Sequence, residues 1–254
     1  MLADRRLNAI LSMINNQGSV TVTELKDVLN VSEATIRRDL SYLAERGLIN
    51  KVHGGATTRM INSQFEAVER AVSEKQNLLA AEKGAIGSLA AGLIEDSDFV
   101  FIDAGTSTLK LVEALEPRAA SFVTSGVAHA SLLLKKGLKT YILGGMLKAG
   151  TEAVVGVAAL ASLERYNFTK AFLGANGVSL KEGLTTPDLE EAAIKGQAVA
   201  RAQTSFALVD HSKFGKVSAV SFAPLTKITL LTDQRPEDGY FLAAQHLEIT
   251  NENH

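Results

Sequence analysis

The chain has 254 residues, 46% of them hydrophobic and 21% charged, with a formal net charge of −2; it is long enough for one sizeable core and a smaller second one. It holds no cysteine, which excludes disulfides, thiolate metal sites and cysteine nucleophiles, and its five histidines show no ligand-like spacing, so neither a metal nor a cofactor is expected. No apolar run approaches the ~20 residues that span a bilayer, and Met1 to Arg6 lack the apolar stretch of a secretory signal, so the expectation is a cytoplasmic protein without a membrane partner.

Charge is unevenly spread: the first sixty residues hold eight lysines and arginines against six acids. That excess is compatible with nucleic-acid binding but weak by itself, so pattern decides. Leu7, Ile10, Leu11 and Ile14 recur at helical spacing and predict a first amphipathic helix of about three turns, broken by "NNQG" (15–18). "SVTV" is short and β-branched, with Thr23 the expected N-cap of a second helix that turns Leu25, Val28 and Leu29 inward. "NVS" (30–32) is a tight turn. Ser32 can cap a third helix, with Glu33 in its first turn, running to about Arg46 and stopping at Gly47.

In that third helix Ile36, Leu40 and Leu43 share one face, Ala34, Arg38 and Ser41 the opposite one, and Thr35 and Arg37 the flanks. A short helix, a tight turn and a capped helix with arginines near its start is the arrangement of a helix-turn-helix reader. "LINKVHGGATT" (48–58) reads as a hairpin turning near Gly54–Gly55, a wing that carries Lys51 and His53 towards a DNA backbone. For Arg37 there is a plainer alternative, an i,i+4 pair with Glu33 on a solvated face.

The stretch "VTELKDVLNVSEATIRRDLSYLAERGLINKVHGGA" (22–56) resembles the N-terminal signature of the DeoR family of bacterial transcriptional regulators, most specifically in S-x-x-T-I-R-R-D-L and the terminal H-G-G-A. The resemblance implies a winged helix-turn-helix over residues 1–57, double-stranded operator DNA as partner, and Ser32, Thr35, Arg37 and Arg38 on or near the reading surface.

Residues 58–77 are polar, lack an apolar stripe and read as a partly helical connector. From residue 78 a regular alternation begins. A helix in "LLAAEKGAIGSLAAGLI" has Ile86, Leu89 and Leu93 on one side. Apolar runs of strand length follow at 98–103, 120–124, 139–143, 170–174, 205–209 and 227–232, with helical segments near 107–115, 127–136, 156–165 and 187–202. This predicts an α/β fold over 78–254, three layers around a mainly parallel sheet.

Small residues, hydroxyls and a few charges collect where those runs end, and in open parallel sheets the ligand crevice lies outside the carboxyl ends of the strands. Gly105, Thr106, Ser107 and Thr108 open a helix directly after a strand, so backbone N–H and hydroxyl donors meet there in a site suited to phosphate. Thr124, Ser125, Gly144 and Gly145 lie at neighbouring ends. Lys213 can add a point charge, and Asp103, Asn176, Asp188 and Glu191 can accept from sugar hydroxyls. A phosphorylated sugar fits this set.

The family resemblance continues through "DAGTST", "GANGVSLKEGLTTPDLEEAAIK" (174–195) and "DHSKFGK" (210–216), which look like blocks of the DeoR-type sensor domain, a fold shared with ribose-5-phosphate isomerases. It implies a repressor of a carbohydrate-utilisation operon whose DNA affinity is changed by a phosphorylated sugar. Palindromic readout requires at least a homodimer, and the resemblance also allows a homotetramer. Two enzymatic alternatives exist. "D-x-G-T-S-T" also resembles the phosphate motif of actin-like sugar kinases, but a helix rather than a hairpin follows it, and the chain is short for two kinase lobes. A sugar-phosphate isomerase needs a carboxylate base; Asp188, Glu190, Glu191 and Lys213 are suitable types, but Asn176 stands where the isomerase block has an aspartate and cannot exchange a proton. The expectation is therefore a sensor without turnover.

Overall fold

The computed structural model describes residues 3–46, 48–52, 54–58, 64–66, 78–244 and 246–250; Gly47, His53 and most of the expected connector lie outside the described residues. The chain divides into two compact units, residues 1–63 with 236–243 and residues 64–235 with 244–254.

The first unit runs α1 (Ala3–Gln17), β1 (Ser19–Thr21), α2 (Val22–Leu29), α3 (Glu33–Glu45), β2 (Ile49–Val52) and β3 (Gly55–Thr58). The expected apolar stripes make its core: Leu7, Ile10, Leu11 and Ile14 of α1 pack with Leu25, Ile36, Leu40 and Leu43. Each fully buried side chain of this kind contributes roughly 1.5–3 kcal/mol. Two local expectations are corrected. Thr21, not Thr23, caps α2: its Oγ1 accepts from the Glu24 N–H at 3.2 Å while the Glu24 carboxylate accepts from the Thr21 N–H at 2.7 Å. That reciprocal box starts the helix as soon as β1 ends. Val28 is also exposed rather than inward, because the start at Val22 turns Val22 and Leu25 to the core instead.

Ser32 caps α3 as expected, accepting from the Thr35 N–H at 3.2 Å. β1, β3 and β2 form an antiparallel wing in that order, with Gly54 (φ 83°) at the turn between β2 and β3. A pair absent from the sequence reading ties α1 to α3: the Arg6 guanidinium binds both oxygens of the buried Asp39 carboxylate.

In the second unit the elements are β4 (Gln64–Glu66), α4 (Ala80–Gly92), β5 (Phe99–Ile102), α5 (Thr106–Ala114), β6 (Ser121–Thr124), α6 (Val127–Lys135), β7 (Lys139–Ile142), β8 (Met146–Leu147), β9 (Val154–Val155), α7 (Val157–Leu163), β10 (Phe168–Gly174), β11 (Gly177–Ser179), β12 (Gly183–Thr186), α8 (Leu189–Arg201), β13 (Ala202–Leu208), β14 (Lys216–Ser218), β15 (Val220–Ala223), β16 (Thr229–Thr232) and, after α9 (Asp238–Ala243) of the first unit, β17 (His246–Ile249). Among the described residues, seven strands make one parallel sheet in the order β17-β16-β13-β10-β5-β6-β7.

Alternate residues of each strand face opposite layers. Val100, Ile102, Phe122 and Phe172 meet Ile86, Leu111 and Leu133 of α4, α5 and α6, while Phe101, Val123 and Leu173 meet Leu163 and Ile194 of α7 and α8. The three-layer α/β expectation holds. What the sequence reading did not contain are the small additions: the β8–β9 hairpin, the antiparallel β11-β12-β15 sheet, and β4 pairing in parallel with β14. β4 lies in the stretch expected to be partly helical, and it is extended because β14 supplies its ladder partners.

Strand order reverses between β5 and β10. From β5 the chain steps outward through β6 and β7, and from β10 it steps the other way through β13, β16 and β17. In open parallel sheets that reversal opens a crevice at the carboxyl ends of the two central strands.

Candidate functional site

On the first unit, α3 presents its charged face to solvent. Arg38 is exposed and has no ion pair among the described residues. Arg37 takes the plainer alternative as well, with its guanidinium on Glu33 Oε1 (Nε at 3.0 Å), both side chains more than half exposed. Lys51 of β2 donates to Ser41 Oγ at 2.7 Å, and Ser41 donates to the Arg37 carbonyl at 2.9 Å. The wing cation is thereby held on the same surface as Arg37 and Ser41. Ser32 and Thr35 join their hydroxyls at 2.9 Å at the start of α3, so part of their chemistry goes to the cap. His53 cannot be located on this surface, being outside the described residues.

On the second unit, the switch point is built around Asp103, which follows β5 and is 2% exposed. Its Oδ2 accepts from the Lys195 ammonium of α8 and from the Gly174 N–H (2.8 Å) at the end of β10; its Oδ1 accepts from Thr108 Oγ1 at 2.8 Å. Lys195 also donates to the Gly174 carbonyl at 3.0 Å. One carboxylate thus pins β5, β10, α5 and α8 together. Asp103 was expected to face sugar hydroxyls; here it is buried and both its oxygens are taken by the protein.

The turn that follows has the expected donors. Gly105 is the N-cap of α5, and the helix's first internal bond runs from the Leu109 N–H to the Gly105 carbonyl. The N–H groups of Thr106, Ser107 and Thr108 therefore lie at the open, positive end of the helix. His129, missed by the sequence reading, braces this turn from α6: its Nε2 lies 3.1 Å from both Thr108 Oγ1 and the Gly105 carbonyl. Burial pushes its pKa down to about 4 against the pull of Asp103 and the Gly105 carbonyl, so the ring is neutral at pH 7. A glycine precedes α6 because a Cβ at Gly126 would stand 2.4 Å from His129 Nδ1.

Ala104, Ser125, Ala153, Val154, Val155, Glu191, Ile194 and Lys195 line a cavity of about 10 Å³ beside this turn, space for about one water. Ser125 is 3% exposed, and its carbonyl accepts from the Val154 N–H at 2.7 Å. Glu191 and Asp188 stand at the start of α8, but both are engaged. Glu191 Oε1 accepts from Thr151 Oγ1 (2.7 Å) and Lys148 Nζ (3.0 Å), and Lys148 also reaches Asp188 Oδ2 at 2.7 Å. Burial alone would raise the Asp188 pKa, but Lys148 and the N–H groups of Glu191 and Glu190 outweigh it and hold the carboxyl below its ordinary value.

The other expected residues divide. Thr124 is buried and accepts from the Gly126 N–H at 3.0 Å, a structural role. Gly145 lets the β8–β9 hairpin close, since a Cβ there would meet the Val155 carbonyl oxygen at 2.6 Å, and Gly144 is exposed with open space around its α-carbon. Asn176 receives the Thr186 hydroxyl at 3.2 Å. Lys213 closes the turn after Asp210 through its N–H, 3.0 Å from the Asp210 carbonyl. In that turn His211 pairs through Nδ1 with Asp233 Oδ2 at 2.6 Å, which raises its pKa. Lys195 was legible in principle, because it lies four residues after Glu191 on one helix face; Lys148 and Thr151 carried no such signal. A wider groove of about 390 Å³ near Gln203 and Lys227 opens where β13 begins, away from this charge cluster.

An exposed recognition helix with its wing, joined in one chain to an anion-suited strand-end site, defines a DNA-binding regulator with its own sensor domain. The DeoR-like helix-turn-helix domain model matches residues 6–62, and the DeoR C-terminal sensor domain model matches residues 79–234. The chain belongs to the DeoR family of transcriptional regulators. It is 38% identical over 238 residues to the uncharacterized HTH-type transcriptional regulator FruR of Bacillus subtilis, covering 93% of both chains. It is 34% identical over 250 residues to the lactose phosphotransferase system repressor of Staphylococcus aureus, covering 97% of this chain and 98% of the relative. Among solved structures, ribose 5-phosphate isomerase A from Methanocaldococcus jannaschii superposes with a TM-score of 0.38 at 15% identity, over 52% of this chain and 53% of that one. The probable sor operon regulator from Shigella flexneri gives 0.39 at 14%, over 57% and 80%. Among the described residues no helix is long and apolar enough to cross a membrane.

Proposed function

We propose that this protein represses a carbohydrate-utilisation operon in the cytoplasm, and that a phosphorylated sugar bound at the β5/β10 switch point changes its grip on operator DNA. The observation that carries the reading is the pairing, in one chain, of an unneutralised Arg38 on α3 with a helix-start anion site at the sheet's reversal. The lactose repressor among the relatives supports the carbohydrate class. Arg38 and Lys51 contact the duplex, with Arg37 released from Glu33 to join them. The phosphate lies against the N–H groups of Thr106 to Thr108, and Ser125, Asn176, Asp188 and Glu191 serve the sugar hydroxyls.

Binding proceeds without turnover. Asp103 is neutralised by Lys195, and Asn176 cannot take up a proton, so neither of these strand-end residues can serve as the base that proton abstraction requires. The signal reaches the DNA-binding unit through β14, which follows the Lys213 turn and holds β4 by a parallel ladder; β4 begins six residues after β3 ends. Two heads are needed for a palindromic site. The outer edge strand β7, with Tyr141 and Ile142 exposed, supports self-association into a homodimer or homotetramer.

The test is a thermal-shift screen of the full chain against pentose and hexose monophosphates and their unphosphorylated parents. A ligand at about 100 times its Kd should stabilise by ~2.7 kcal/mol, and only phosphorylated members should act. A flat response across the panel, or an equal response to the parent sugars, contradicts the proposal.

A further inference from the structure

The cavity at the switch point is far smaller than a sugar phosphate needs, since small-molecule sites run to about 300–1,000 Å³. For this cavity to enclose a sugar phosphate, one of its walls has to move. One wall is Ala153, Val154 and Val155, all on or beside β9. The β8–β9 hairpin that carries them is a two-stranded ribbon outside the main sheet, and such isolated ribbons are marginal by themselves. Met146 and Leu147 on its outer strand are exposed. Its backbone ties to the site are the Val154 N–H on the Ser125 carbonyl (2.7 Å) and the Val127 N–H on the Glu152 carbonyl (3.3 Å). Its inner strand also packs inward, Val154 joining the core with Ala159 and Ile194, and at its tip Thr151 reaches Glu191 while Lys148 spans Asp188 and Glu191.

The charges point the same way. At the start of α8 one ammonium bridges two carboxylates, so a phosphate arriving with its own ~1.5–2 negative charges meets acids already satisfied and a cation already occupied. Burial alone would lower the Lys148 pKa, but Asp188 and Glu191 raise it above its ordinary value, and the amine stays charged.

We propose that the β8–β9 hairpin is the flap of the effector site and that Lys148 is a further effector-binding residue, latched to Asp188 and Glu191 without ligand and transferred to the ligand's phosphate on binding. The transfer leaves Asp188 and Glu191 to accept sugar hydroxyls and opens the space behind Val154 to the ligand. This inference rests on the sugar-phosphate reading above.

The chain has no cysteine, so Met146→Cys carrying an environment-sensitive dye reports the hairpin alone. Stopped-flow mixing of the labelled full chain with the best sugar monophosphate from the thermal screen should give an observed rate that levels off with ligand concentration, because the flap opens first. In Lys148→Met that plateau should rise, and the affinity for the phosphorylated sugar should fall by about tenfold or more as a charged contact is lost. Lys148→Arg keeps the charge and should stay within about threefold of the parent, which separates lost charge from lost folding. Unchanged rates and affinity in Lys148→Met overturn the inference, as does an Arg variant as impaired as the Met variant. A labelled parent and an unlabelled chain that both ignore every sugar phosphate overturn the effector reading itself.

Discussion

On the DNA-binding unit, Arg37 and Glu33 pair with more than half of each side chain in water, whereas in the sensor Lys195 and Asp103 pair with 9% and 2% of theirs exposed. The same two charge types are put to opposite use. An exposed i,i+4 pair is worth about 0.3–0.5 kcal/mol, so Arg37 can leave Glu33 for a DNA phosphate at little cost. The buried pair cannot be parted cheaply, because removing one member strands a desolvated charge. Arg37 thus sits in an exposed pair that parts easily, whereas Lys195 is committed to fixing the ends of β5 and β10.

The largest effect that follows is on Lys195. Lys195→Met should destabilise the sensor by about 3–5 kcal/mol while leaving the first unit's core intact, read by calorimetry of the full chain. A sensor transition that does not move would mean Asp103 is not held by this pair.

Next is acid sensitivity. His129 has its folded pKa depressed from 6.5 to about 4, so its contribution is complete above 6.5 and is lost as pH falls towards 4. That amounts to ~3 kcal/mol over the window, and His129→Gln should flatten the sensor's stability profile there. His211 has the opposite sign: its raised pKa gives stability that is full below 6.5 and lost as pH rises through the folded value. A His129→Gln profile as steep as wild type between pH 6.5 and 4 would remove the buried imidazole from the account.

For the DNA face, Arg38→Ala should weaken specific DNA binding by about 1–3 kcal/mol and lower the salt dependence by about one ion, with effector binding unchanged. Retained affinity at moderate salt would move the reading surface elsewhere. The smallest effect is Glu33→Gln, which frees Arg37 and should tighten DNA binding by only a few-fold, measured by anisotropy at low salt; weaker binding would show that Glu33 positions Arg37 rather than restraining it.

The contrast also explains what could be read from sequence. α3 was legible to within a residue, because Ser32 is a local cap and Ile36, Leu40 and Leu43 set one face. The parallel sheet was legible because its central strands are continuous apolar runs. The site residues at strand ends were found by type, but their pairings were not: Asp103 meets Lys195 ninety-two positions away, and Lys148 meets Glu191 forty-three away. No local periodicity encodes such contacts. Thr23 was misplaced as a cap because the capping box needs the Glu24 position as well as a hydroxyl. The hairpin at 146–155 went unseen because its strands are two residues each.

The central claim is that one chain couples sugar-phosphate occupancy to DNA affinity without chemistry. The most direct measurement is anisotropy titration of the full chain against a DNA site selected by the protein from a random library, with and without the sugar monophosphate that raises its melting temperature. Saturating ligand should change the DNA Kd by about 5–150-fold, with the compound recovered unaltered. An unchanged Kd, or measurable conversion of the sugar phosphate, would contradict the account.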